Sequence, residues 1–424
     1  MHIDNIRKEN GLINLFCTLA EIPSPSMQEE KVIAWLENYC KENSLDCRLD
    51  SYKNVIIRIP ATDASKPALL LSAHMDVIGD DSPVETYLDG DLIRAKGRTL
   101  GADDKAGLAN ALYFATKLAK SDSAHGELEL VFTRDEENGA SGIRNIEFDK
   151  LNSKYVLVLD SDSLGQLMTS GASYTSVKIH VESFKGGHSG IDIADTTREN
   201  AAKLIADLVS NLPQGVYYSK DGEVITSCNI GGISAGKLNV TNIINTTAEA
   251  SYSIRSSSRE MENELKERFK FEIDDFNKQY TSIAKATIEF AEHLPPFEKA
   301  DDEYIPILFE AAAKKAGVKP QISSFHAGAE THIYANRTNS KGEKFLPYLV
   351  GLADVHNMHS KEENVNYKSI IKGQELLNKF YAAYIGSAFY SFFKFSSIFC
   401  LNSSASLFSG SDSRYLFTSA KASL

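Results

Sequence analysis

The sequence predicts an α/β protein, with a largely parallel sheet flanked by helices and a second, ferredoxin-like α+β unit. Three observations lead there. Short apolar runs of strand length alternate with helical stretches through the first part of the chain, and such runs suit strands buried on both faces. From Thr175 the pattern changes to strict alternation interrupted by two helices, in the order β-α-β-β-α-β. Beyond about residue 294, helices and an apolar run return, so both ends of the chain contribute to the first layer.

In order, Ile6 to Ala20 reads as a helix, Ile22-Pro23-Ser24-Pro25-Ser26 breaks it, and a second helix runs from Met27 to Glu42. Val32, Trp35, Leu36 and Tyr39 give that helix an apolar side, and Ser26 with Glu29 predicts a capping box at its start. Strands are expected near Arg48 to Ile59, Ala68 to Ala73, Leu128 to Thr133 and Tyr155 to Leu159. Helices are expected near Lys105 to Lys120 and Ser141 to Phe148. In the second unit, Val177, Ile179 and Val181 alternate as a strand, with further strands at Val224 to Ile230, Thr246 to Ile254 and Ala284 to Phe290. Its helices are Thr197 to Leu212 and Glu260 to Tyr280. A helix from Glu303 to Ala316, a strand near Phe345 to Val350 and a helix from Tyr367 to Ala382 close the fold. The expected division is therefore 1–172 with 294–385, an inserted 173–293, and a Ser- and Phe-rich, non-catalytic tail at 386–424.

With 424 residues and 42% hydrophobic content, the chain can bury more than one core. A formal net charge of -12 argues against nucleic acid or an anionic membrane as partner, since both select clustered Lys and Arg. Cys17, Cys40, Cys47, Cys228 and Cys400 are scattered and odd in number, which reads as reduced thiols in a cytoplasmic protein. The first residues are polar and lack the apolar core of a secretory signal, and no apolar stretch reaches the length of a membrane span.

The chemistry lies in an ordered set of acids and histidines: His74 and Asp76, Asp103 and Asp104, Glu136 and Glu137, Asp160, and His359. His and carboxylate are the ligand types that hold a pair of divalent metals for hydrolysis. Three of the groups follow apolar runs, so a parallel sheet would deliver them to one carboxyl edge, where open α/β folds bind ligands. Asp103 stands before a helical stretch, where one Asp would serve merely as a cap. A second Asp and flanking Gly101 and Gly107 exceed that need, and Asp103 is read as the carboxylate bridging two ions. Asp76, two residues beyond His74, is placed to orient its imidazole. Glu136 and Glu137 diverge at a strand end, so one can bind metal while the other contacts water. His356 and His359 are alternatives as a distal ligand. The absence of HEXXH excludes a zincin.

SAHMDV (72–77), GADDKAG (101–107), TRDEENG (133–139), LDSD (159–162), KGGHSG (185–190) and HNMHS (356–360) resemble, in order, the signatures of the two-metal exopeptidases. That family includes peptidase T, aminoacyl-histidine dipeptidase, carboxypeptidase G and the aminoacylases, and the likeness runs from about Ile22 to about Tyr384. The resemblance implies a zinc-exopeptidase-like catalytic domain with an inserted lid, and a homodimer formed through that lid. It implies His74, Asp103, Glu137, Asp160 and His359 as metal ligands, Glu136 as general base and Asp76 as orienter of His74. It also places the carbonyl-polarising histidine at His188, acting in some relatives from the partner subunit. GADDKAG and LDSD lean toward peptidase T; KGGHSG and the His326 to Glu330 segment lean toward aminoacyl-histidine dipeptidase. Asn242 and Arg255 are candidates for a substrate carboxylate, and His326 and Glu330 for the pocket lining.

The expected activity is hydrolysis of di- or tripeptides with a free amino end, using two divalent ions. Zinc is the default, with cobalt and manganese accepting the same ligands. Deacylation of N-acyl amino acids by the same site is the alternative. A non-catalytic metal- or peptide-binding protein is a third reading, which the presence of Glu136 disfavours.

Overall fold

The computed structural model describes residues 2–386, so the expected Ser- and Phe-rich tail lies, beyond Gly386, outside the described residues. The principal sheet has eight strands in the spatial order Asp46–Leu49, Val55–Ile59, Leu128–Thr133, Leu69–His74, Tyr155–Val158, Leu346–Val350, Gln166–Gly171 and Gln321–Phe325. The four strands from Leu128–Thr133 to Leu346–Val350 run parallel, and antiparallel pairings flank them. Leu69–His74, Leu128–Thr133 and Tyr155–Val158 are buried along their whole length, as expected of parallel strands covered on both faces. Three of the parallel strands end at or within three residues of a group singled out above, and the fourth, Leu346–Val350, leads into the segment that carries His359, so the topology brings residues 74, 136, 160 and 359 toward one edge.

The helix Ala102–Ala119 packs close to the Tyr155–Val158 strand at Gly107. A Cβ there would stand 2.7 Å from the Leu159 carbonyl oxygen and 2.3 Å from Asp104 Oδ1. Glycine is required by close approach, and that approach fixes where Asp103 and Asp104 sit.

Residues Tyr174 to Leu294 form a five-stranded antiparallel sheet in the order Gly215–Lys220, Glu223–Ala235, Thr247–Ser256, Tyr174–Ser183 and Ala284–Leu294. The helices Ala201–Asn211 and Arg259–Gln279 share its core, with Leu204, Ile205, Leu265 and Phe269 against Val177, Ile179 and Ile254. This is the ferredoxin-like arrangement with one additional edge strand, Gly215–Lys220. That strand escapes a sequence reading because its burial shows no period-two alternation.

Other departures have local causes. The first helix is two, Ile3–Glu9 and Gly11–Ala20, because Asn10 turns extended and its side chain accepts from Leu12 N (3.0 Å) and Ile13 N (3.1 Å). The expected strand Arg48 to Ile59 is a hairpin whose turn is held by Asp50, which accepts from Tyr52 N and Asn54 N. Ser141 to Phe148 holds only a four-residue helix, Ser141–Arg144, and the start of a 3-10 turn. The capping box is not formed: Ser26 Oγ donates to Asp76 Oδ2 (2.8 Å), and the Glu29 carboxylate points into the protein. No helix among the described residues is long and apolar enough to cross a membrane.

His332 sits where the two sheets meet. Its ring lies between Phe297 and Phe325, at centroid distances of 5.9 and 5.5 Å, with Nε2 3.2 Å from the Ala172 carbonyl oxygen. Burial, aided by the Arg255 charge, lowers its pKa to about 4. A folded-state pKa below the unfolded one means the unfolded chain binds the extra proton between about pH 6.5 and pH 4. Stability from His332 is therefore full above about pH 6.5 and falls by on the order of 3 kcal/mol as the pH drops to 4. Urea unfolding of His332→Gln across that range should show a shallower acid loss than wild type; equal slopes would reject the assignment.

Candidate metal centre

Two triads of possible ligands meet at one residue. His74, Asp103 and Asp160 form one, and Asp103, Glu137 and His359 the other. His74 Nε2 lies 3.1 Å from Asp103 Oδ1 and 3.6 Å from Asp160 Oδ1. His359 Nε2 lies 3.2 Å from Asp103 Oδ2 and 3.0 Å from Glu137 Oε2. Asp103 thus turns one oxygen to each triad, the disposition a bridging carboxylate requires. Of the two histidines weighed in HNMHS, His359 joins the cluster; His356 pairs in a short strand with Asn364.

The surroundings suit cations. His74 Nδ1 lies 3.0 Å from the Asp76 carbonyl oxygen, which only accepts, so Nδ1 carries a proton and Nε2, facing Asp103 and Asp160, is the atom that would meet an ion. Burial and neighbouring Asp103 push Asp160 up to about 6, and burial with Asp103 pushes Glu137 up to about 7. Glu137 Oε1 is buried with no hydrogen-bond partner among the described residues. Reluctant carboxylates, an orphaned acceptor and two imidazoles form a donor set that a pair of divalent ions would complete.

Backbone groups hold the ligands in place. Asp76 accepts from Glu136 N (2.9 Å), Glu137 N (3.1 Å) and Ser26 Oγ (2.8 Å). Burial would raise its pKa, but the His74 hydrogen bond and charge, with these donors, hold it below the ordinary range. Asp104, buried, accepts from Gly107 N and His74 N. Glu363 accepts from Gly101 N (2.8 Å) and Asp103 N (3.2 Å), tying the Asp103 turn to the segment that follows His359. Glu363 carries no motif, and nothing in the Lys361-Glu362-Glu363 run distinguishes it from a solvated acidic turn.

This centre, on this sheet, has counterparts among known proteins. Residues 70–383 match the peptidase family M20/M25/M40. The chain belongs to that family. It is 30% identical over 224 residues to the cytosol non-specific dipeptidase of Escherichia coli K12, an alignment covering 46% of this chain and 45% of that enzyme's length. It is 24% identical over 401 residues to peptidase T of Parabacteroides distasonis, covering 85% of this chain and 92% of the relative. The crystal structure of aminopeptidase PepT from Bacillus cereus superposes with a TM-score of 0.78 at 22% identity, over 89% of this chain and 98% of that one. Aminoacylhistidine dipeptidase from Vibrio alginolyticus gives 0.70 at 20% identity, over 88% and 96%. These structures share the fold, a mixed α/β architecture around a mostly parallel sheet.

The remaining expected site residues in this M20 chain do not form one group. His188 is exposed in a short strand paired with Ile243 and Ile244, and its hydrogen bonds reach only its own turn. Its Nδ1 accepts from Gly190 N (3.1 Å) and Ile191 N (3.3 Å), so the ring proton is on Nε2, for which the described residues offer no acceptor. Asn242 is exposed, and its carbonyl oxygen accepts from Ser189 N. Arg255 stacks over Tyr174 at 4.8 Å, and His326 Nε2 meets Ser227 Oγ at 2.8 Å; the Arg255 charge, after burial, lowers the His326 pKa. Arg255 and His326 are therefore neighbours where the two sheets face each other. Glu330, expected in the pocket lining, is 1% exposed and 3.4 Å from Ser72 Oγ, because it precedes the buried helix Thr331–Ala335 behind the Leu69–His74 strand; its charge is felt by Glu136. Burial pushes it up to about 7.

Adding Zn²⁺, Co²⁺ or Mn²⁺ should raise the melting temperature, by about 2.7 kcal/mol of stability per site at a hundredfold excess over Kd. Glu137→Gln should lose the share contributed by one ion. A melting temperature that ignores every ion would eliminate the centre.

Proposed function

We propose that this M20 chain is a metal-dependent exopeptidase that hydrolyses di- or tripeptides with a free amino terminus. The observation that carries the reading is Asp103, with one oxygen toward His74 and Asp160 and the other toward His359 and Glu137. Glu136, adjacent to a ligand yet belonging to neither triad, is the general base. A bound ion pair would supply Lewis acidity to water and to the scissile carbonyl. A solved relative from Bacillus subtilis is described as a dinuclear metal-binding peptidase of the M20 family, and zinc is the ion assigned here, with cobalt or manganese as substitutes.

The chain's own residues divide the remaining work. Asp76 fixes the His74 tautomer through Nδ1 and, through two amides, the loop that presents Glu136. Burial, with Asp160, Glu330 and Glu137 nearby, raises the Glu136 carboxyl well above its ordinary range, which suits a group that takes a proton from water and returns it to the leaving amine. His188, with its ring proton on Nε2, donates to the developing oxyanion. Arg255 and His326 take the carboxylate end of a short peptide. Residues 173–293 act as a lid over the centre and as the contact between two copies, and the enzyme works in the cytoplasm on the small peptides its relatives' names indicate.

Hydrolysis of free dipeptides, free tripeptides and N-acetyl amino acids by metal-loaded protein, with a chelated control, tests the reading. Cleavage restricted to acylated substrates would make the chain a deacylase, and silence with every ion would leave a binding protein. Glu136→Gln should keep its metal and lose on the order of 10²-fold or more in kcat; near-normal turnover would remove Glu136 as base. His188→Ala should lose about 10²-fold in kcat with metal content unchanged. Activity regained on mixing His188→Ala with Glu136→Gln subunits would place the histidine across a dimer.

A further inference from the structure

The loop after the Leu128–Thr133 strand is held by side chains from three separate segments. The amides of four consecutive residues each meet a carboxylate or amide oxygen. Arg134 N donates to Asn54 Oδ1 (3.0 Å), Asp135 N to Glu29 Oε1 (3.0 Å), Glu136 N to Asp76 Oδ1 (2.9 Å) and Glu137 N to Asp76 Oδ2 (3.1 Å). The carbonyls of Arg134, Asp135 and Glu136 accept from the turn that follows (Gly142 N, Ser141 N, and Gly139 N with Ala140 N), whereas the amides of 134–137 depend on these side-chain acceptors, which therefore help to set which way Glu136 and Glu137 point.

Glu29 makes the densest set of these contacts. Its Oε1 also accepts from Met27 N (2.9 Å), and its Oε2 takes Arg134 Nε (2.7 Å) and Nη2 (2.6 Å). Glu29 is 0% exposed and Arg134 only 7%, so the pair is shielded from water and each charge depends on the other. Asp135, between Arg134 and Glu136, has φ of +52°, a left-handed conformation uncommon for non-glycine residues and one that Asp tolerates better than most. Asp135 is held from two sides: the Glu29 carboxylate grips its amide and the Arg134 side chain, and Ser141 bonds its carbonyl oxygen and carboxylate.

We propose that Glu29 is a positioning residue for the reaction: through Arg134 and the Asp135 amide it sets the loop that aims Glu137 at the His359 half of the centre and Glu136 at the substrate. It touches neither substrate nor ion. The kinetic part rests on the proposed peptidase reading, whereas the ligand-placing part rests on the geometry alone. Neighbouring Glu30 also meets Arg134, at 3.4 Å, but is 60% exposed at the side chain and grips no backbone amide of the loop, which makes it the control.

The test is metal titration calorimetry and steady-state kinetics on Glu29→Gln and Glu30→Gln. Glu29→Leu combined with Arg134→Met is the second variant; it removes both buried charges at similar volume and so keeps the fold if the single change does not. For both Glu29 variants the ion on the Glu137 side should bind about tenfold weaker, and the ion on the His74 side within about twofold of wild type. At saturating zinc, kcat should fall about tenfold or more with KM within about threefold, the split expected when an oriented reacting group is misplaced. Glu30→Gln should match wild type in both. Wild-type affinity at both sites in both Glu29 variants would overturn the proposal, as would equal weakening of the two sites, which would indicate general loosening. If the wild-type protein cleaves no substrate while the titrations still separate the two sites, the peptidase reading fails and the role of Glu29 stands.

Discussion

Mutual repulsion among carboxylates is the constraint around which this fold is arranged. Asp103, Asp160, Glu136 and Glu137 share one small volume, with Asp76, Asp104, Glu330 and Glu363 in the layer behind them. Each of these oxygens is costly to leave unpaired in a low-dielectric interior. The chain answers mainly with backbone amides at places where no helix or sheet ladder uses them: the turn before the helix Ala102–Ala119, and the loop of residues 134–137. Imidazoles of His74 and His359 supply the rest, and what they leave over matches a pair of divalent ions.

This arrangement explains why buried cations are rare and specifically placed. Lys105 is fully buried, and its Nζ donates to the Leu19 and Ile22 carbonyl oxygens at 3.2 and 3.3 Å, at the end of the helix Gly11–Ala20. Burial lowers its pKa to about 7, while the Asp76 carboxylate opposes the drop. Arg134 is bound by Glu29 on the other side of Asp76's loop. Both cations are engaged by groups outside the two triads, the Leu19 and Ile22 carbonyls and the Glu29 carboxylate.

Much of this was legible in the sequence, because chemistry that needs particular residue types leaves them at strand ends. The apolar runs before His74, Glu136 and Asp160 mark their strands to within a residue, and the doubled Asp between glycines marks the residue that the two candidate triads share. The supporting layer was not legible. Ser26 and Glu29 fit a local capping box, and only the three-dimensional path of the chain turns them inward to Asp76 and Arg134. Asn54 looks like a turn residue and Glu363 like part of a charged run, since an acceptor for a distant amide has no spacing of its own. The burial of Glu330 is not legible either: the helix Thr331–Ala335 draws it beneath Ser72, close to Glu136. The edge strand Gly215–Lys220, exposed along most of its length, carries no hydrophobic alternation to reveal it.

The separation of the two half-centres along the chain also has a temporal meaning. His74, Asp103 and Asp160 all precede the Tyr174 to Leu294 sheet, whereas His359 follows it. Glu137 belongs with the early group in sequence and with the late one in space. A chain emerging from its amino end therefore possesses all three residues of one candidate triad well before the imidazole of the other has been synthesised. Assembly is ordered by connectivity, so the second triad is complete only after the intervening sheet and the strand Leu346–Val350 have been made.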